Sequence, residues 1–164
     1  MTWATEGSRI FRQFVADALA DTAAFKLGGT DVFKAALYNN TTAPDRDVTA
    51  ALSAYAAATS QWVTANEVID STGGADWPAG GVSLGTETLT TSAGGIVTFD
   101  APDTASGATA DIAAAYGCLV YDDTLTTPVA DQGICFNYFG GSNSVTNGTF
   151  TVVWSPSGIF TITT

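Results

Sequence analysis

Period-two alternation is clearest near the C-terminal end, where Thr149, Thr151 and Val153 alternate with Phe150, Val152 and Trp154. That spacing marks a half-buried strand. Ser-Pro-Ser-Gly at 155–158 reads as a turn and Ile159, Phe160 and Ile162 as the returning strand, so residues 144–164 are expected to close the chain as a hairpin, with Asn147-Gly148 an earlier turn. Near the other end the period changes. Phe11, Phe14, Val15, Ala18 and Leu19 recur at three- and four-residue spacing after Ser8, a fitting N-cap, and predict an amphipathic helix over about residues 9–22. Residues 32–38 follow as a strand with Phe33, Ala35 and Leu37 on one face. The alanine-rich stretch 48–58, capped by Asp47 and carrying Val48, Leu52 and Tyr55 near helical register, predicts a second short helix.

From Trp62 the texture is β-like: runs at 62–69, 82–90, 96–100, 112–121 and 133–139, separated by Gly-Gly pairs and other turn signals. Short strands without helical stretches between them favour an antiparallel arrangement over βαβ units. The expected fold is therefore mainly β, an antiparallel β-sandwich or jelly-roll-like single domain over 1–164. Residues 1–60 form its helix-strand-helix part and 61–164 its β-rich body.

Composition adds bounds. At 164 residues, with 46% apolar and 13% charged residues, the chain can build a real core and does not read as disordered. No apolar run approaches the length of a membrane span, and the first residues lack the cationic start of a secretory signal, so a soluble, unexported protein with no membrane partner is expected.

Charge is unevenly placed. Arg9, Arg12, Lys26, Lys34 and Arg46 are the only cations and are matched by five acids within the first 46 residues, so the whole net charge of -11 belongs to 47–164. A surface of this sign repels phosphate, and nucleic acid is not an expected partner.

Absence of histidine removes Ser-His and Cys-His nucleophiles and the usual base near neutral pH. Cys118 and Cys135, both in apolar runs, are too few for a four-thiolate zinc site and read as buried thiols or, given suitable register, a disulfide. Carboxylates are the plentiful reactive groups. Asp122, Asp123 and Asp131 flank the 125–128 loop and offer oxygen ligands for Ca²⁺, though without the spacing of a dedicated calcium loop. Glu67 and Glu87 are available for paired-acid hydrolysis, but no spacing singles them out. Among aromatics, Trp62 reads as core, while Trp77, set in the loop Asp76-Trp77-Pro78-Ala79-Gly80-Gly81, is the one expected to serve a contact surface, with Tyr138 and Phe139 as companions.

Several phrases in one order carry a resemblance: Phe33-Lys34-Ala35-Ala36-Leu37-Tyr38, Trp77-Pro78-Ala79-Gly80-Gly81-Val82-Ser83-Leu84, Val97-Thr98-Phe99-Asp100-Ala101-Pro102-Asp103, Tyr116-Gly117-Cys118-Leu119-Val120-Tyr121-Asp122-Asp123-Thr124, and the closing 145–159. Over nearly its whole length the chain resembles a family of small tailed-bacteriophage virion proteins, with Trp77 in place of the family's usual tyrosine, a longer 106–111 loop, and Phe139-Gly140-Gly141 before the close. What the resemblance implies is a non-enzymatic structural protein of the particle: a capsid decoration or cement protein on the assembled head, or a tail or head-tail component. It implies no cofactor and no catalytic residue, with the major capsid protein or other virion proteins as partners. An oligomer, first of all a trimer, assembled in the host cytoplasm is expected. Outside that class stands a host-surface carbohydrate-binding module built around Trp77. The charge split nominates Arg9, Arg12 and Arg46 as candidate contacts with an acceptor, beside Trp77.

Overall fold

The apolar run 33–38 lacks a wet face because both of its sides are covered. In the computed structural model, which describes residues 2–164, the elements run α1 (Trp3–Glu6), β1 (Arg9–Ile10), α2 (Arg12–Ala20), β2 (Phe33–Tyr38), α3 (Ala50–Ser53), β3 (Glu67–Val68), β4 (Val82–Ser83), β5 (Thr88–Ser92), β6 (Ile96–Asp100), β7 (Thr104–Ala105), β8 (Ala110–Asp122), β9 (Gly133–Gly148), β10 (Thr151–Val152) and β11 (Phe160–Thr163). The chain is mainly β, 36% strand and 12% helix, in antiparallel sheets of a β-sandwich-like fold. One six-stranded sheet has the order β1-β9-β8-β2-β3, with β4 also on β2; a second has three strands, β11-β6-β5; β10 and β7 form a pair. Strands from both ends of the chain lie in the large sheet, so the N-terminal residues are woven into the β body.

β2 sits between β8 and its short partners, which is why its sequence reads as core throughout. Its Ala36 and Tyr38, with Leu119 and Phe136 across the ladder, meet an aromatic layer: Trp62 packs edge-on against Tyr38 at 5.0 Å and Phe11 against Phe136 at 5.3 Å, with Trp3 5.8 Å from Trp62. On the opposite face Phe33 meets Phe99 of β6 at 5.4 Å, and Phe99 meets Phe160 of β11 at 5.3 Å, joining the three-stranded sheet to the larger one. Trp3, Phe11, Phe33, Tyr38, Trp62 and Phe99 are fully buried.

Several expected elements are redrawn. The N-terminal helix begins later: Ser8 does not cap it, its hydroxyl instead accepting from the Tyr138 amide at 3.0 Å, while Arg9 and Ile10 pair with Phe136 and Cys135 as a strand. Pairing with a sheet edge satisfies backbone groups that a first helical turn would leave open. Leu19 of the predicted apolar stripe is 84% exposed. The helix predicted over 48–58 shrinks to α3, because the Tyr55 amide bonds to the Asp131 carbonyl, Ala56 turns to φ 54° and the Tyr55 ring stacks on Tyr121 at 4.9 Å. Tertiary contacts outweigh alanine's helix propensity there. Of residues 62–69 only Glu67–Val68 are strand, behind a 3₁₀ turn at Thr64–Asn66, and the 82–90 run divides at Gly85, φ 86°, into β4 and β5.

The C-terminal hairpin does not form. β10 pairs with β7 and β11 pairs with β6, so the turn at 155–158 carries the chain from one sheet to another. Alternation in the sequence marked the strands but not their partners. Asn147-Gly148 likewise ends β9, with Asn147 at φ 49°, its amide donating to Asp111 Oδ1 at 2.6 Å.

Candidate functional site

The expected contact residues scatter. Arg12 and Arg46 come together: the Arg12 amide donates to the Arg46 carbonyl at 3.1 Å, and Asp47 Oδ1 lies 2.9 Å from Arg12 Nε and 3.8 Å from Arg46 Nε. Two guanidinium groups thus share one carboxylate on an open surface, since the Arg12 side chain is 72% exposed. Arg9 takes no part in it. Its Nη1 donates to the Ser8 carbonyl at 2.8 Å, and it lines a hollow with Ile10, Cys135, Asn137 and Phe160.

Trp77 contradicts its expected role. It is fully buried, packs edge-on against Phe150 at 5.8 Å, and its carbonyl accepts the Asp70 amide at 2.9 Å. Its loop folds inward because Gly81, at φ 79°, lies against the β2 backbone so closely that a Cβ would meet the Ala35 carbonyl oxygen. Trp62 is buried as expected, whereas Tyr138 and Phe139 remain half-buried.

The carboxylates nominated from sequence serve different ends. Glu67 Oε2 accepts from Tyr55 Oη at 2.9 Å and Oε1 from the Gly80 amide at 2.7 Å, while Tyr121 Oη donates to the Gly80 carbonyl at 2.8 Å. Burial raises the Glu67 pKa and the two hydrogen bonds oppose the rise. This network fastens the 78–81 loop over β2. Glu87 has one buried carboxylate oxygen without a partner. Asp123 pairs with Lys34 at 2.8 Å. Asp131 is half-buried, and burial raises its pKa, with Asp123 adding to the rise. Asp122 is fully buried: Oδ1 accepts the Thr124 and Leu125 amides at 2.9 and 3.0 Å, and Oδ2 has no partner atom. Burial first, and the adjoining Asp31 carboxyl after it, push its pKa up to about 6. Among the described residues no three His, Cys, Asp or Glu side chains converge to hold a metal ion, and Asp122, Asp123 and Asp131 are not brought together as oxygen ligands.

Two further acids escaped the sequence reading. Asp70 accepts the Thr72, Asp111 and Asp76 amides and the Thr72 hydroxyl, which together hold its pKa down at about 2. Asp17 is bonded by Gln13, Thr22 and Gln132 at 2.8 to 2.9 Å; burial would raise its pKa, but these donors lower it on balance. Their partners lie up to 115 residues away, so no local pattern could expose them. Cys118 and Cys135 are free, buried thiols on β8 and β9, opposite Asn137 and Val120 rather than each other.

No protein-family model, curated protein or solved structure matches this chain.

Proposed function

We propose that the chain is a non-enzymatic structural protein of a tailed-bacteriophage particle, a decoration or cement protein that binds the assembled head as an oligomer. The observation that carries this reading is where the resembling phrases fall. They occupy β2, the 77–84 segment laid over it, β6 and the end of β8, the parts that make the core, in one order along the chain. Consistent with a structural role, the acids Glu67, Asp70, Asp17 and Asp122 are spent on loop and strand attachment. Exposed charge is what remains for contact. Arg12 and Arg46 offer two guanidinium forks that suit carboxylates of an acceptor, and the acidic remainder faces solvent, where it is screened.

A carbohydrate-binding module would rest on an exposed aromatic platform, and the burial of Trp77 removes its leading residue. The deciding experiment is incubation of the purified protein with undecorated heads of the phage that encodes it, followed by particle reconstruction. Regular added density on the head shell is the expected result. Density on the tail or at the head-tail joint would replace the head assignment, and no density on any part of the particle would end the structural reading.

A further inference from the structure

β9 is the longest strand, sixteen residues, yet its outer edge is barely covered. Only β1 pairs there, at Phe136 and Cys135, with the Ser8 hydroxyl on the next amide out. From Phe139 to Asn147 no strand among the described residues takes that edge. Exposed edges are usually blunted by charge or proline, but residues 139–147, Phe-Gly-Gly-Ser-Asn-Ser-Val-Thr-Asn, contain neither. The ladder to β8 shifts register three times between Tyr138 and Gly148, with positive φ at Gly140, Gly141 and Asn147, and an added Cβ at either glycine would meet nothing within 4 Å.

On the same side lies β10, whose only partner is β7. Between it and β9 runs a groove of about 330 Å³, walled by Tyr138, Phe139 and Asn143 on one bank and Phe150, Val152 and Val153 on the other. A smaller hollow shares Tyr138 and Val152 with it and leads past Ser8 and Ile159 to the Arg9 hollow, about 350 Å³, which those last two also line. The chain has sixteen acids, yet among the described residues none lines any of the three, and the single charged side chain there is Arg9. Among the described residues Arg9 makes no ion pair, while Arg12, Arg46 and Lys34 all do. Val153, 71% exposed, lines both the groove and the hollow that joins it to Arg9.

We propose that this groove receives an extended segment of another protein as an added strand along β9, facing β10, with apolar side chains at alternate positions against Tyr138, Phe139 and Val153 and a carboxylate at the Arg9 end. Main-chain groups on the open edge supply hydrogen bonds to any extended chain, and alternate side-chain contacts select among chains. Charge sets the direction. Elsewhere the net -11 surface repels an acidic segment, so its carboxylate is favoured only where it meets Arg9, which fixes register as well as polarity.

Immobilised full-length protein is panned against a random dodecapeptide display library, and selected peptides are measured on wild type, Val153→Asp and Arg9→Gln. Both positions are exposed, and melting curves check that the variants stay folded. The expected peptides alternate apolar residues and carry Asp or Glu near one end. Their affinity falls about tenfold with Val153→Asp and severalfold with Arg9→Gln, and hydrogen exchange slows at those amides of 139–146 that point away from β8. Absence of enriched peptides, or affinities equal on all three proteins, overturns the proposal. So does a concentration-dependent dimer abolished by Val153→Asp, which gives the groove to a second copy. The probe is a peptide, so its failure is distinct from failure to bind a head.

Discussion

Asp122 and Asp70 lie at opposite ends of the carboxylate range, and the cause is the number of donors each can reach. Asp70 collects amides from three residues and a hydroxyl. Asp122 has two amides for one oxygen, none for the other, and Asp31 beside it. A raised native pKa favours folding most below the unfolded value near 3.8, and that contribution is lost as pH rises through about 6. For Asp70 the sign reverses: its contribution is present above 3.8 and is lost as pH falls toward 2. The melting temperature is therefore expected to peak near pH 4, declining on both sides. In Asp122→Asn, where Nδ2 can donate to Asp31, the decline between about pH 4 and 7 should shrink, by on the order of 1–3 kcal/mol of stability. Calorimetry across that range checks it, and an unchanged slope would place the pH dependence elsewhere. Trp77 teaches a different lesson at this scale. Its Pro and Gly neighbours announce a loop, but only the close approach of Gly81 to β2 shows that the loop turns inward; truncation to Ala should cost about 3–5 kcal/mol, measured by denaturant unfolding, as for a core aromatic.

Elements with continuous β-branched, apolar or aromatic runs were the legible ones. β2, β6 and the 112–121 part of β8 were readable from apolar, β-branched and aromatic runs, as was the mainly β class. What alternation cannot encode is partnership: the 149–154 and 159–162 runs have the composition of a hairpin and the pairing of two different sheets. Nor does propensity foresee Tyr55, which leaves the alanine helix for Glu67 and Tyr121. The loop that Glu67 holds gives the element-scale test. Gly81→Ala combines a positive φ with a clash against the Ala35 carbonyl and should cost roughly 3–5 kcal/mol; near-native melting of that variant would mean that the 78–81 loop does not sit on β2. The β8-β9 ladder gives another. Burial raises both thiol pKa values, that of Cys135 to about 12 and that of Cys118 further, so thiolate is scarce. A thiol reagent should label neither in the native protein and both in denaturant, with no effect of reductant on melting. Rapid native labelling would contradict that packing.

At the scale of the whole molecule, the charge split of the sequence takes on a different meaning once the N-terminal strands are seen inside the large sheet. No neutral lobe stands apart from an acidic one; what the split leaves is a surface on which Arg12 and Arg46 project around one shared Asp47. An exposed ion pair of this kind is worth roughly 0–1 kcal/mol, so trading Asp47 for carboxylates of an acceptor costs little, and repeated contacts over an oligomer multiply a small gain. The proposed head binding should then depend on these side chains and on ionic strength. Wild-type occupancy of undecorated heads is expected to fall between low and moderate salt, where the screening length shortens to about 10 Å. The triple variant Arg9→Ala, Arg12→Ala, Arg46→Ala, folded by its melting curve, should bind less at low salt and respond less to added salt. Testing Arg9→Ala alone separates the two surfaces, because Arg9 belongs to the β9 groove and the other two to the Asp47 cluster. If the triple variant decorates heads as wild type does at both salt concentrations, the cations are solvated bystanders, and the uncharged groove between Tyr138, Phe139 and Val153 becomes the surface to test.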